Sequence, residues 1–144
     1  MREILFRGKP KNKADYELLK TMYKDNCKDG FIYGSLVISH GKYYICIMAL
    51  CQINSLVDNG TTTMFEVIPE TVGEYTWLKD KNGERIFEGD VVLLKSDEEP
   101  YQVAFDECCF QVYSHSVCYV MDIFYDHDIE VIGNIHDNPE LLEG

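Results

Sequence analysis

The chain has 144 residues, 46% of them hydrophobic, which suits one domain or two small subdomains sharing a core. Its formal charge of −12 is unevenly placed: residues 1–95 hold all 13 basic and 13 acidic side chains, whereas residues 96–144 hold 12 acidic and no basic ones. No apolar run approaches the ~18 residues of a membrane-spanning helix, and a stretch without Lys or Arg disfavours a nucleic-acid surface there, because that affinity rests on cations releasing counterions.

In chain order, residues 3–7 read as a short strand ending in the turn-like Gly8-Lys9-Pro10. Tyr16, Leu19 and Tyr23 recur at helical spacing, so residues 15–23 are predicted as an amphipathic helix whose side chains pack on a sheet. A loop over residues 25–30 leads to a predicted β-hairpin: strand 31–39, a tight turn at His40-Gly41, and strand 42–50. Residues 52–60 form a polar connector and 61–68 another strand, stopped by Pro69, which has no N–H to give to a ladder. Asp80-Lys81-Asn82-Gly83 is a turn signal, and its Asn-Gly pair favours the two-residue type I′ form. Strands are then predicted over 85–88, 91–95, 101–105, 109–113, 117–124 and 129–135, with Gly89-Asp90 as a sharp bend. The regular spacing of these short strands is that of a small barrel or sandwich. Asn138-Pro139-Glu140-Leu141-Leu142 predicts a one-turn helix, with Pro at a first helical position. The expected fold class is mainly β with minor helix, β or α+β, with antiparallel strands. It divides into an N-terminal strand, helix and hairpin region over 1–68 and a C-terminal region over 69–144, together one compact domain.

The stretch Pro69–Val92, PETVGEYTWLKDKNGERIFEGDVV, combines three glycines with a dense set of turn residues and a Gly-Asp pair before an apolar run. Phe31-Ile32-Tyr33-Gly34-Ser35-Leu36 stands upstream, and Glu130-Val131-Ile132-Gly133-Asn134-Ile135 lies near the C-terminus. This set resembles the signature of the YopX protein family, small proteins of phages and prophages without an established biochemical activity. The resemblance implies a phage or prophage setting, and the Gly-Asp-Val-Val opening looks like that of an SH3-like barrel over roughly 85–136, a fold used mostly for binding. At Trp77 the family usually carries glycine. A position accepting both Gly and Trp reads as one that needs no positive φ and holds its side chain at the surface.

Candidate chemistry is sparse. Cys108, Cys109, His115 and Cys118 supply soft ligands, but structural zinc sites use paired Cys-x₂₋₄-Cys spacings, and here two cysteines are adjacent. Asp122, Asp126, Asp128 and Glu130 resemble half of a hard-cation loop without its mid-loop glycine. Glu84, Glu88 and Asp90 are carboxylates in a turn-rich stretch, where Asp90 reads better as a backbone cap than as an acid or base. No glycine pattern precedes a long helix, so no phosphate loop is present. No catalytic residue, cofactor site or metal site is therefore assigned, and a non-enzymatic protein is expected.

Because the N-terminus opens Met-Arg-Glu without an apolar signal region, a cytoplasmic location is expected. There the six cysteines, Cys27, Cys46, Cys51, Cys108, Cys109 and Cys118, would stay reduced and pack as small hydrophobes. The leading expectation is a protein-interaction module, with the acidic C-terminal half suited to a basic partner. The alternatives are a nucleic-acid-binding accessory protein that uses Arg2, Arg7, Lys9, Lys11 and Lys13 on phosphates, and an acidic mimic of nucleic acid. Any homo-oligomer is expected to form through the neutral N-terminal half, since the acidic halves repel each other.

Overall fold

The computed structural model describes residues 4–47, 63–94, 99–115, 117–121 and 129–143. The expected connector over 52–60 and the last residues of the predicted strands 42–50 and 117–124 lie outside this set. Among the described residues the fold is mainly β with one α-helix, and the strands pair antiparallel. The chain forms two compact units, Met1–Glu74 and Tyr75–Gly144. The charge divides along the same line: the second unit carries sixteen acidic and four basic residues, and so the whole −12.

In the first unit, β1 (Phe6–Gly8) pairs with β3 (Phe31–Ser39) on one side and with Gly73 and Glu74 on the other. The opposite side of β3 takes the two-residue β2 (Cys27–Lys28) and then β4 (Lys42–Ile47), which in turn pairs with β5 (Thr63–Val67). Both hairpin turns place two residues at positive φ, Asp29 at 54° with Gly30 at 84°, and His40 at 51° with Gly41 at 75°. That is the type I′ geometry whose twist matches the flanking strands. The helix α1 (Lys13–Met22) starts at Asn12, whose Oδ1 accepts from the Ala14 N–H at 2.9 Å, and ends as Tyr23 N donates to the Leu19 carbonyl. Its apolar face docks on the sheet as the 3.6-residue spacing requires. Leu19 is buried with Cys27, Ile32, Ile45, Ile47, Phe65 and Val67, with Tyr16 and Tyr23 beside them. Each such aliphatic side chain contributes roughly 1.5–3 kcal/mol when fully buried. Gly34 is required by contact, because a Cβ there would run into the Cys46 carbonyl oxygen.

The strand β6 (Gly73–Lys79) carries the chain into the second unit, where its remaining residues pair with β7 (Arg85–Phe87). Between the pairs Tyr75–Phe87 and Lys79–Arg85, β6 has three residues against one on β7. This bulge puts Trp77 at φ 80°, half-buried. The expectation that Trp77 occupies an ordinary surface position is therefore corrected: the site is left-handed, which accounts for the family's glycine. Thr76 repairs the interrupted ladder, its hydroxyl donating to the Ile86 carbonyl at 2.8 Å and accepting from Leu78 N at 3.3 Å.

The turn between β6 and β7 is also not the expected type I′. Only Gly83, not Asn82, has positive φ; Gly83 N donates to the Asp80 carbonyl and Asp80 N to the Glu84 carbonyl. That is the three-residue loop of a type I turn followed by a left-handed glycine. The reason is the Asp80 carboxylate. Its Oδ1 accepts from Asn82 N and Glu84 N, both at 2.9 Å, and Oδ2 from Val131 N at 3.0 Å. These bonds hold the right-handed turn in preference to the mirror form.

A second sheet follows in the order β11-β10-β9-β8-β12: β8 (Asp90–Leu94), β9 (Pro100–Asp106), β10 (Cys109–Tyr113), β11 (Cys118–Val120) and β12 (Ile129–Asn134). It curls as a half-barrel over Ile86, Val92, Leu94, Tyr101, Val103, Val112, Met121 and Ile129. Gly89 makes the bend into it at φ 93°, and the buried Asp90 carboxylate caps Phe87 N at 2.8 Å. The predicted final turn is present as a 3₁₀ turn, Pro139–Leu142.

Candidate functional site

The basic N-terminal residues are largely engaged within the first unit. Arg7 is buried, and its guanidinium lies 4.2 Å from the centre of the Phe31 ring, with the Lys9 ammonium 4.9 Å from the same ring. Lys11 pairs with Glu66 at 2.7 Å. The hydrogen bond to Glu66, then its charge, raises the Lys11 pKa, and the same bond lowers that of Glu66. Residues 9–11 also run along the outer edge of β5, through Lys11 N to the Glu66 carbonyl and Ile68 N to the Lys9 carbonyl. Their role visible here is to cover that edge. Lys13 starts α1, and Arg2 lies outside the described residues.

The cysteines divide by burial. Cys27 and Cys46 are core residues, and desolvation raises the Cys27 thiol above its ordinary pKa, which makes it less reactive. Cys109 is half-buried, but Cys108 and Cys118 are exposed, which corrects the expectation that all pack as small hydrophobes. Cys108 shares a tight turn with Glu107, both at positive φ. Cys118 and Cys109 meet through Gln111: the Cys118 thiol donates to Gln111 Oε1 at 2.7 Å, and Gln111 Nε2 donates to Cys109 Sγ at 3.4 Å. Cys51 lies outside the described residues. So do Asp122, Asp126 and Asp128, while Glu130 pairs with Lys81 at 3.1 Å. Among the described residues, no three His, Cys, Asp or Glu side chains come together as metal ligands do. Glu84 contributes its N–H to the Asp80 turn and Asp90 caps Phe87, so both lie in backbone-shaping positions.

The feature that sequence reasoning did not single out is the outer face of β9, β10 and β11. Cross-strand pairing aligns Ala104 with Gln111, Gln102 with Tyr113, and Tyr113 with Cys118 on that face. Tyr101, Val103 and Val112 turn the other way, into the core. The face holds a groove of about 530 Å³ lined by Ala104, Asp106, Gln111, Tyr113, His115 and Cys118 among others. A smaller cavity of about 150 Å³ adjoins it, bounded by Glu99, Pro100 and Leu142, and Tyr113, Ser114 and His115 form a wall common to both. His115 Nε2 lies 3.1 Å from the Leu142 carbonyl, which can only accept, so that nitrogen carries the proton. Apolar side chains on this face stay open to solvent: Val120, paired with Gln111, is 56% exposed, and Tyr113 and Val117 are also exposed, whereas the exposed Phe105 and Tyr119 stand opposite Phe110 and Val112 on the other face. The signal for this face in the sequence is the alternation of polar or small residues with buried ones along 101–106 and 109–113.

Comparison with protein families matches the YopX family, described as YopX protein, over residues 9–143. This chain belongs to the YopX family. Two solved structures share the fold of this YopX-family chain. Protein EF1440 from Enterococcus faecalis is 20% identical, with a TM-score of 0.56 and 99% of each chain covered. Protein yopX from Bacillus subtilis is 19% identical, with a TM-score of 0.53, covering 100% of this chain and 98% of its own. No curated protein matched. Among the described residues, no helix is long and apolar enough to cross a membrane.

Proposed function

We propose that this YopX-family protein is a non-enzymatic, cytoplasmic, phage- or prophage-encoded module that works by binding another protein. The observation that carries this reading is the exposed apolar set Tyr113, Val117 and Val120 around the groove on the outer face of β9–β11. Small soluble proteins seldom leave such side chains clustered in solvent unless something docks on them. Residues 96–144, which include this face, hold 12 acidic and no basic side chains, which favours a protein partner over a phosphate backbone. The engagement of Arg7, Lys9 and Lys11 with Phe31 and Glu66 weighs against the alternative of phosphate contacts from the N-terminal segment.

Affinity capture from infected or lysogenic bacteria tests the reading, followed by reconstitution of the complex from purified components. A stoichiometric protein complex that survives nuclease treatment is expected. Capture that depends on nucleic acid, or a clean absence of partner in both host and phage lysates, would contradict it.

A further inference from the structure

We propose that the groove on the outer face of β9–β11 receives basic side chains from an extended, lysine- or arginine-rich segment of the partner protein. This rests on the protein-contact reading above and names the chemistry of the partner. Ala104 is the smallest side chain on the face, and standing between Gln102 and Asp106 it gives the groove its depth. The Tyr113 ring forms a wall along which an alkyl stem packs and over which a cationic head is attracted. The Asp106 carboxylate lies in the lining, and Glu99 bounds the adjoining cavity. The groove lining holds Asp106 and no Lys or Arg, so a cationic ligand complements its charge. The exposed Val117 and Val120 call for apolar residues alternating with the basic ones, as an extended strand presents them. A free polyamine would satisfy the carboxylates and leave these apolar side chains uncovered.

The probe is a short peptide alternating lysine and valine, titrated into the full chain by calorimetry and by amide chemical-shift mapping. A peptide alternating glutamate and valine, and free spermine, serve as controls. Ala104→Arg fills the groove with a fixed cation. Glu130→Gln changes the charge by the same amount on β12, at the other end of the sheet. The expected result is binding of the basic peptide with shifts confined to residues 99–121 and the neighbouring Leu142. Ala104→Arg should weaken it at least about tenfold, Glu130→Gln should leave it within about twofold, and both controls should bind at least about tenfold more weakly. Equal loss in both variants, spermine binding as tight as the peptide, shifts elsewhere in the chain, or no peptide binding would each overturn the proposal. Should Ala104→Arg fail to fold, the shift map on the unmodified protein decides alone. A captured protein that still binds Ala104→Arg unchanged would sink the groove and leave the protein-contact reading standing.

Discussion

Trp77 sits where a glycine belongs. At φ 80° a side chain with a Cβ costs roughly 1–3 kcal/mol, a cost the rest of the β6 bulge must offset. The half-buried indole recovers part of this by covering apolar surface. An inverted order of stabilities is therefore expected. Trp77→Gly should remain within about 1 kcal/mol of the parent, while Trp77→Val, which retains more side chain, should lose about 2 kcal/mol or more. Urea unfolding of the two variants checks this, and a Val variant as stable as the Gly variant would refute the bulge geometry. The sequence misled at this residue for a physical reason: a Gly-to-Trp difference within a family looks like surface freedom, yet here it is strain tolerated by a bulge. Asp90 was legible because a short carboxylate beside a left-handed glycine has an obvious backbone donor to bind.

Elements were legible where periodicity ran long enough. The strands Phe31–Ser39 and Cys109–Tyr113 coincide with their predicted spans, and the helix lies within two residues of its own at the N-terminal end. β2 has only two residues, too few for a pattern, and β6 was hidden because its bulge breaks the alternation and turn residues crowd both sides. The groove was not legible, since it depends on which strands adjoin, and pairing order is not written in any one segment. Two predictions belong at this scale. Glu107 and Cys108 hold both central positions of a tight turn at φ 49° and 65°, where Asn-Gly is favoured. The double change Glu107→Asn with Cys108→Gly should stabilise the protein by about 1 kcal/mol in denaturant titration, and any loss would count against the turn. The second concerns the Lys11–Glu66 pair that ties residues 9–11 to β5. Glu66 is lowered from 4.5, so its share of stability is present above that value and fades as pH falls through the folded pKa. Lys11 is raised from 10.5, so its share is present below that value and fades as pH climbs through the folded pKa. Lys11→Met should therefore melt below the parent near neutral pH, with the gap closing in strong acid. A gap independent of pH would show that the pair contributes nothing.

At the scale of the whole molecule, charge separates the two units more sharply than fold does. The first unit, with nine residues of each sign, has no net charge, and the second carries −12, so copies of the second repel each other. Any homo-oligomer should then form through the first unit. There the edge of β5 is covered by residues 9–11, while among the described residues the Ser35–Ser39 half of β3 pairs only with β4 and leaves Ile38 56% exposed. Light scattering should show a dimer, if one forms, at low salt and its loss in Ile38→Lys; a dimer appearing only at high salt would mean that the acidic units meet. We propose that the acidic unit faces a different protein. Amide hydrogen exchange on the full chain, free and bound to its purified protein partner, tests that claim most directly. New protection is expected over residues 99–121, with exchange in the first unit unchanged. Protection confined to the first unit, or no change anywhere, would contradict it.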